Sequence, residues 1–181
     1  MSVTTLFSEH CRNCMRLLVN LDALMEVGQG EEPEADALRD EMDTPWRYLS
    51  VEETEMIRGL SVDLYENWER PDNSISTPTG PAESQQIEET KKAFATGDWL
   101  QALTLLRQVS RFLQATEVAY MRARCWLELG VPDNAVAFLR HATKHEPVNQ
   151  NYRWLLLDAL IRAERLDEAK QEAATILAKV A

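Results

Sequence analysis

Two groups of side chains carry reactive chemistry by type: His10, Cys11 and Cys14 in the stretch HCRNC, and the pair His141 and His145. Two cysteines so spaced serve thiol exchange when they open a helix that follows a strand, because the helix dipole then lowers one thiol's pKa. A zinc site needs three or four ligands. No strand pattern precedes Cys11, and the remaining Cys125, His141 and His145 stand far along the chain. Cys11 and Cys14, one turn apart on an apolar face, therefore read as core residues, with a metal as the weaker alternative for that pair. His141 and His145 share a helix face and the last turn before Pro147. There a positive charge meets the carbonyl end of the helix, a role that needs no further ligand. No paired carboxylates, glycine-rich phosphate loop or nucleophile motif occurs. The expectation is a protein that is not an enzyme and takes no cofactor.

The elements that position these residues read as helices throughout. The start, MSVTTLFSEHCRNCMRLLVNLDALMEV, reads as an amphipathic helix with Leu6/Phe7, Cys11, Met15, Leu18, Leu21/Ala23 and Met25 along one side. Glu9, His10 and Arg12 fall where a signal peptide needs its apolar centre. With no membrane-length apolar run, a cytoplasmic protein with reduced thiols is expected. The stretch GQGEEPEADALRDEMD carries seven acids against Arg39 and runs into a short helix. In TPW, Thr44 is placed to cap and Pro45 to open a further helix. Ser50 and Glu53 form a capping box for a helix over 51–68, with Ile57, Leu60, Leu64 and Trp68 as its apolar stripe. Residues 70–84, RPDNSISTPTGPAES, read as a linker. The expected organisation is an amino-terminal region of about three helices over 1–69, this linker, and a carboxyl-terminal region over 85–181.

Composition narrows the partners. The 181 residues are 45% hydrophobic and 27% charged, as in a chain that buries a core. Thirty acidic residues against 19 basic ones give a net charge of -11. Phosphate contacts need the opposite sign, so nucleic acid and anionic membranes are excluded as expected partners.

The carboxyl-terminal region has a period. GVPDNAVAFLRHATKHEP places Ala135, Leu139 and Ala142 on one helix face after the turn residue Gly130. Thirty-three residues earlier, Gly97, Ala102, Leu106 and Val109 keep the same intervals, and further on so do Glu164, Ala169, Ala173 and Ile176, with glutamate in place of glycine. Each of these helices follows another amphipathic segment, at 87–96, 117–129 and 151–163. The unit is a helix, a tight turn and a second helix, in three copies at about 83–115, 116–148 and 150–181.

Residues 83–181 thereby resemble tetratricopeptide repeats, whose turn glycine, buried small residues and terminal proline match Gly130, Ala135, Ala142 and Pro147. Trp99 and Trp126 stand near the first two turns, as aromatics often do in that family. The resemblance implies an all-α fold of helical hairpins forming a short right-handed solenoid. It also implies a concave groove lined by the first helix of each unit: Ile87, Lys91 and Phe94, then Tyr120, Arg124 and Leu127, then Trp154, Asp158 and Ile161. In that geometry Tyr120 and Trp154 are the apolar anchors, and Lys91 with Arg124 meets a carboxylate. The polar clamp with which some members hold carboxyl-terminal tails is missing, since Ile87, Thr90 and Met121 occupy its places.

Solenoid ends expose an apolar face that something must cover. Leu166, Ile176, Leu177 and Val180 are expected to form such a face, covered by the amino-terminal helices, a second copy of the chain or a partner protein. The leading expectation is an adaptor or scaffold that binds a peptide or subunit of another protein. A small acidic chaperone holding an apolar client segment is the alternative, and a self-assembling structural subunit, with a homodimer at the end face, is the third.

Overall fold

The computed structural model describes residues 6–69 and 75–178. These residues form nine α-helices and one short 3-10 turn, with no strand among them, so the protein is all-α. The chain divides into two compact units, 1–69 and 70–181. No helix among the described residues is long and apolar enough to cross a membrane.

In the first unit, α1 (Glu9–Glu26) packs against both α2 (Pro33–Trp46) and α3 (Val51–Glu69). Ser8 ends the irregular start and caps α1, its hydroxyl accepting from the Cys11 amide at 3.1 Å. Leu6 and Phe7 therefore precede the helix. The expected apolar stripe is also rotated: Phe7, Cys11, Cys14, Met15, Leu17 and Val19 are buried, whereas Ala23 and Met25 are exposed. Ala35 of α2 and Ile57, Leu60 and Leu64 of α3 complete this core. The side chain of Trp68 lies outside the described residues.

The capping box at α3 is formed in both directions. The Glu53 amide donates to Ser50 Oγ, and the Ser50 amide donates to Glu53 Oε2, both at 3.1 Å. The same carboxylate also accepts from the Ser8 amide at 2.8 Å, tying the start of α3 to the cap of α1. Partial burial pushes the Glu53 carboxyl up, but these amide donors outweigh it and hold the group below its ordinary value. Pro45 corrects an expectation: it lies inside α2, one residue from the end, rather than opening a helix. The proline that does open α2 is Pro33, which needs no amide partner in the first turn.

In the second unit, six helices follow in chain order: α4 (Pro81–Thr96), α5 (Trp99–Val109), α6 (Ala115–Glu128), α7 (Pro132–His145), α8 (Gln150–Arg162) and α9 (Leu166–Ala178). Each packs on the next, and α6 also touches α8. The small-residue stripes face inward: Ala102, Leu106 and Val109 are buried, as are Ala135, Leu139 and Ala142, and then Ala169 and Ile176. Trp126 and Phe138 fill the middle of this core.

Three turns, after α4, α6 and α8, close in the same way. The amides of Gly97, Gly130 and Glu164 donate to the carbonyls of Phe94, Leu127 and Ile161, and the following amides reach back to Ala93, Trp126 and Leu160. This pairing requires a left-handed residue at the turn, and φ is +77°, +78° and +59° at the three positions. Glu164 thus adopts the glycine conformation without being glycine.

The stretch expected as a linker over 70–84 is shorter than its composition suggested. Residues 70–74 lie outside the described ones, and α4 already begins at Pro81. Between them the Ser76 amide donates to the Arg111 carbonyl at 2.8 Å, and Arg111 pairs with Glu83 at 2.9 Å. Glu83 further accepts from the Thr79 amide and hydroxyl. Residues 76–83 are therefore fastened to the second unit.

Candidate functional site

The sulfur and imidazole groups come first. Cys11 and Cys14 are fully buried, and burial, reinforced by the nearby Glu53 charge, pushes the Cys11 thiol up to about 12 and Cys14 upward in the same sense. A protonated thiol is neither a nucleophile nor a metal ligand. Among the described residues no three His, Cys, Asp or Glu side chains converge as metal ligands. The His141 and His145 rings lie against each other, centroids 4.5 Å apart, near the end of α7.

Of the nine residues expected to line a groove, α8 presents the two most open apolar ones: Trp154 and Ile161, 56% and 51% exposed. One step of the period earlier, Tyr120 is half-buried and Leu127 is only 2% exposed. Leu127 is therefore a core residue and not a groove contact. Helix α6 packs on α5 and α7 and α8 packs on α7 and α9, with a slight contact between α6 and α8, and sequence spacing alone does not reveal which faces these neighbours cover.

The expected charges already have partners on their own helices. Lys91 pairs with Glu88 at 3.2 Å, Arg124 with Glu128 at 3.1 Å, and Asp158 with Arg162 at 2.9 Å. A carboxylate arriving at Lys91 and Arg124 would have to displace these pairs. Exposed pairs of this kind are worth about 0.5 kcal/mol, so they bias the site weakly. Ile87 is half-buried on α4.

The expected end face is split. Leu166 and Leu177 are exposed, the latter at 68%, but Ile176 is 1% exposed and belongs to the core between α8 and α9. Its burial follows from the stripe it shares with Ala169. Val180 lies outside the described residues. Beneath that face runs a buried ion pair, Arg153 of α8 to Glu172 of α9 at 2.7 Å, with side chains only 10% and 14% exposed. Arg153 is also held by the Pro147 carbonyl, which accepts from its Nε at 2.7 Å.

Phe94 and Tyr120 do come together, in a cleft of about 470 Å³ that also has Gln114, Glu117, Met121, Glu146, Asn149, Asn151 and Tyr152 on its walls. The Tyr120 and Tyr152 rings touch at 5.3 Å between centroids. Glu146 accepts from the Thr116 hydroxyl and from Asn149 Nδ2. Sequence reading missed Glu117, Glu146 and Tyr152 because they come from α6, the end of α7 and the first turn of α8, with no shared spacing. A separate apolar hollow of about 110 Å³ in the first unit is lined by Leu18, Leu21, Met25 and Leu64, with Asp22, Ser61 and Tyr65.

No family model matches the chain, and neither a curated protein nor a solved structure matches it.

Proposed function

We propose that residues 83–181 are a tetratricopeptide-like stack of three helical hairpins that works as a non-enzymatic scaffold, docking an apolar helical segment of another protein on the open face of α8. The same turn also closes α1 at Gly28, so it is the regular spacing of Gly97, Gly130 and Glu164 along the chain, rather than the turn itself, that supports the repeat. The observation that carries the function is the contrast between Leu127 and Ile161. They occupy corresponding positions, yet the first is 2% and the second 51% exposed. A helix laid on Trp154 and Ile161 would stand to α8 as α8 stands to α6. Trp154 then supplies the large amphipathic side chain that concentrates binding energy at interfaces.

Affinity capture from native extract, comparing wild type with Trp154→Asp/Ile161→Asp, tests this. The expected result is a partner recovered with wild type and lost with the variant, while the helical circular dichroism of the two proteins coincides. A partner recovered equally with both would remove α8 as the docking face. Recovery of only further copies of this chain, with a mass that falls to one chain in the variant, would make the same face a self-assembly surface.

A further inference from the structure

We propose that the cleft walled by α4, α6 and the start of α8 receives the cationic side chain, arginine or lysine, of a basic peptide segment, against the Tyr120 and Tyr152 rings and the Glu117 and Glu146 carboxylates. The inference rests on the reading of this unit as a protein-binding scaffold and specifies the charge of what it binds. That charge is opposite to the one which Lys91 and Arg124 were expected to meet.

Three observations converge. First, the cleft, about 470 Å³ and open to solvent, has room for a guanidinium or ammonium group. Second, its charges are of one sign. Glu117 and Glu146 line it, and no lysine, arginine or histidine does. Several acids elsewhere in the unit have cations beside them: Glu83 has Arg111, Glu128 has Arg124, Asp158 has Arg162, and Glu172 has Arg153. Glu146 accepts from two neutral donors, the Thr116 hydroxyl and the Asn149 amide, which orient the carboxylate without cancelling its charge. Third, aromatic rings stand beside these acids. A guanidinium or ammonium over the face of a tyrosine is attracted by the ring quadrupole, and desolvation in a cleft strengthens this.

The field inside the cleft can be read from one of its own groups. Burial pushes the Tyr152 phenol above its ordinary value; the Thr116 hydroxyl works against this, and the charges of Glu146 and Glu117 add to the rise. Burial opposes a charge of either sign, so only the smaller contribution of the two carboxylates favours a cation there. The net charge of -11 on the chain acts over longer range, raising the encounter rate with basic segments.

The test is a nuclear magnetic resonance titration of the full chain with an end-blocked tetra-arginine peptide, with tetra-glutamate as control. The expected result is saturable shifts concentrated at Glu117, Tyr120 and Tyr152, absent with tetra-glutamate. Glu117→Gln, an exposed position that leaves the helix intact, should weaken binding about fivefold, and Tyr120→Leu should weaken it more than Tyr120→Phe. Shifts spread over acidic residues of the whole chain, unchanged by Glu117→Gln, would overturn the proposal, as would equal binding by the phenylalanine and leucine variants. The Trp154→Asp/Ile161→Asp protein separates the two readings. Retained arginine binding there with partner capture lost supports both; failure of arginine binding in wild type, with partner capture intact, sinks the cleft alone.

Discussion

The hairpins α6–α7 and α8–α9 share a turn and a stripe but differ in what fills the seam between their helices. Ala119 and Phe138, both fully buried, stand at the positions taken thirty-four residues later by Arg153 and Glu172. The middle hairpin, with a helix packed on either side, puts apolar side chains at these two places, although it also buries Arg122, whose guanidinium lies over the Phe138 ring. The last hairpin holds an ion pair at the matching place and leaves Trp154, Ile161 and Leu177 open. Apolar packing needs no particular bond geometry to hold, whereas a sequestered ion pair stabilises only while both partners remain.

The two tryptophans should break that comparison most visibly. Trp126→Ala removes a side chain with no exposed surface and should cost about 4 kcal/mol of folding stability. Trp154→Ala removes one that is mostly in water and should cost no more than about 0.5 kcal/mol. Urea unfolding followed by helical circular dichroism reads both, and equal losses would mean that the α8 face is covered in solution.

The ion pair should give the next largest effect. Glu172→Ala strands the Arg153 guanidinium in a site only 10% exposed, at a cost of about 3 kcal/mol. Replacing both residues, as Arg153→Leu/Glu172→Leu, should restore most of that stability, because neither charge then has to leave water. A single variant as stable as wild type would show that water reaches the pair, and would erase the chemical difference between the two hairpins.

How much of this was legible beforehand depended on whether a feature is local. The stripes through Ala102, Ala135 and Ala169 were readable because helical spacing alone puts small residues on one face. The capping box was readable because Ser50 and Glu53 lie within one turn. Thr44 and Pro45 misled for the same reason: a threonine before a proline resembles a helix start, but α2, opened by Pro33, continues through it. Leu127 and Ile161 look alike in sequence, and their different exposure is a tertiary property that spacing does not encode. Ile176 was misplaced in the opposite sense, since being near the chain's end says nothing of burial by the preceding helix. The cleft was half visible, through Phe94 and Tyr120. Its acids were not, because Glu146 enters from a helix terminus whose position is set by tertiary packing.

The smallest effect concerns the turn that the two hairpins share. Gly130 adopts φ of +78° at no steric cost, and a side chain added there would meet nothing within 4 Å, so Gly130→Ala isolates the backbone penalty. That penalty is about 1 kcal/mol or somewhat more. Glu164 already bears it at φ of +59°. Glu164→Gly should therefore stabilise the protein, by an amount comparable to what the alanine change costs, because the freedom that glycine gives the unfolded chain offsets both changes alike. Thermal unfolding of the two variants beside wild type should show Tm falling for Gly130→Ala and rising, by a few degrees at most, for Glu164→Gly. If Glu164→Gly lowers Tm instead, the glutamate side chain contributes more than its backbone conformation costs, and the last turn differs from the middle one in chemistry as well as in residue type.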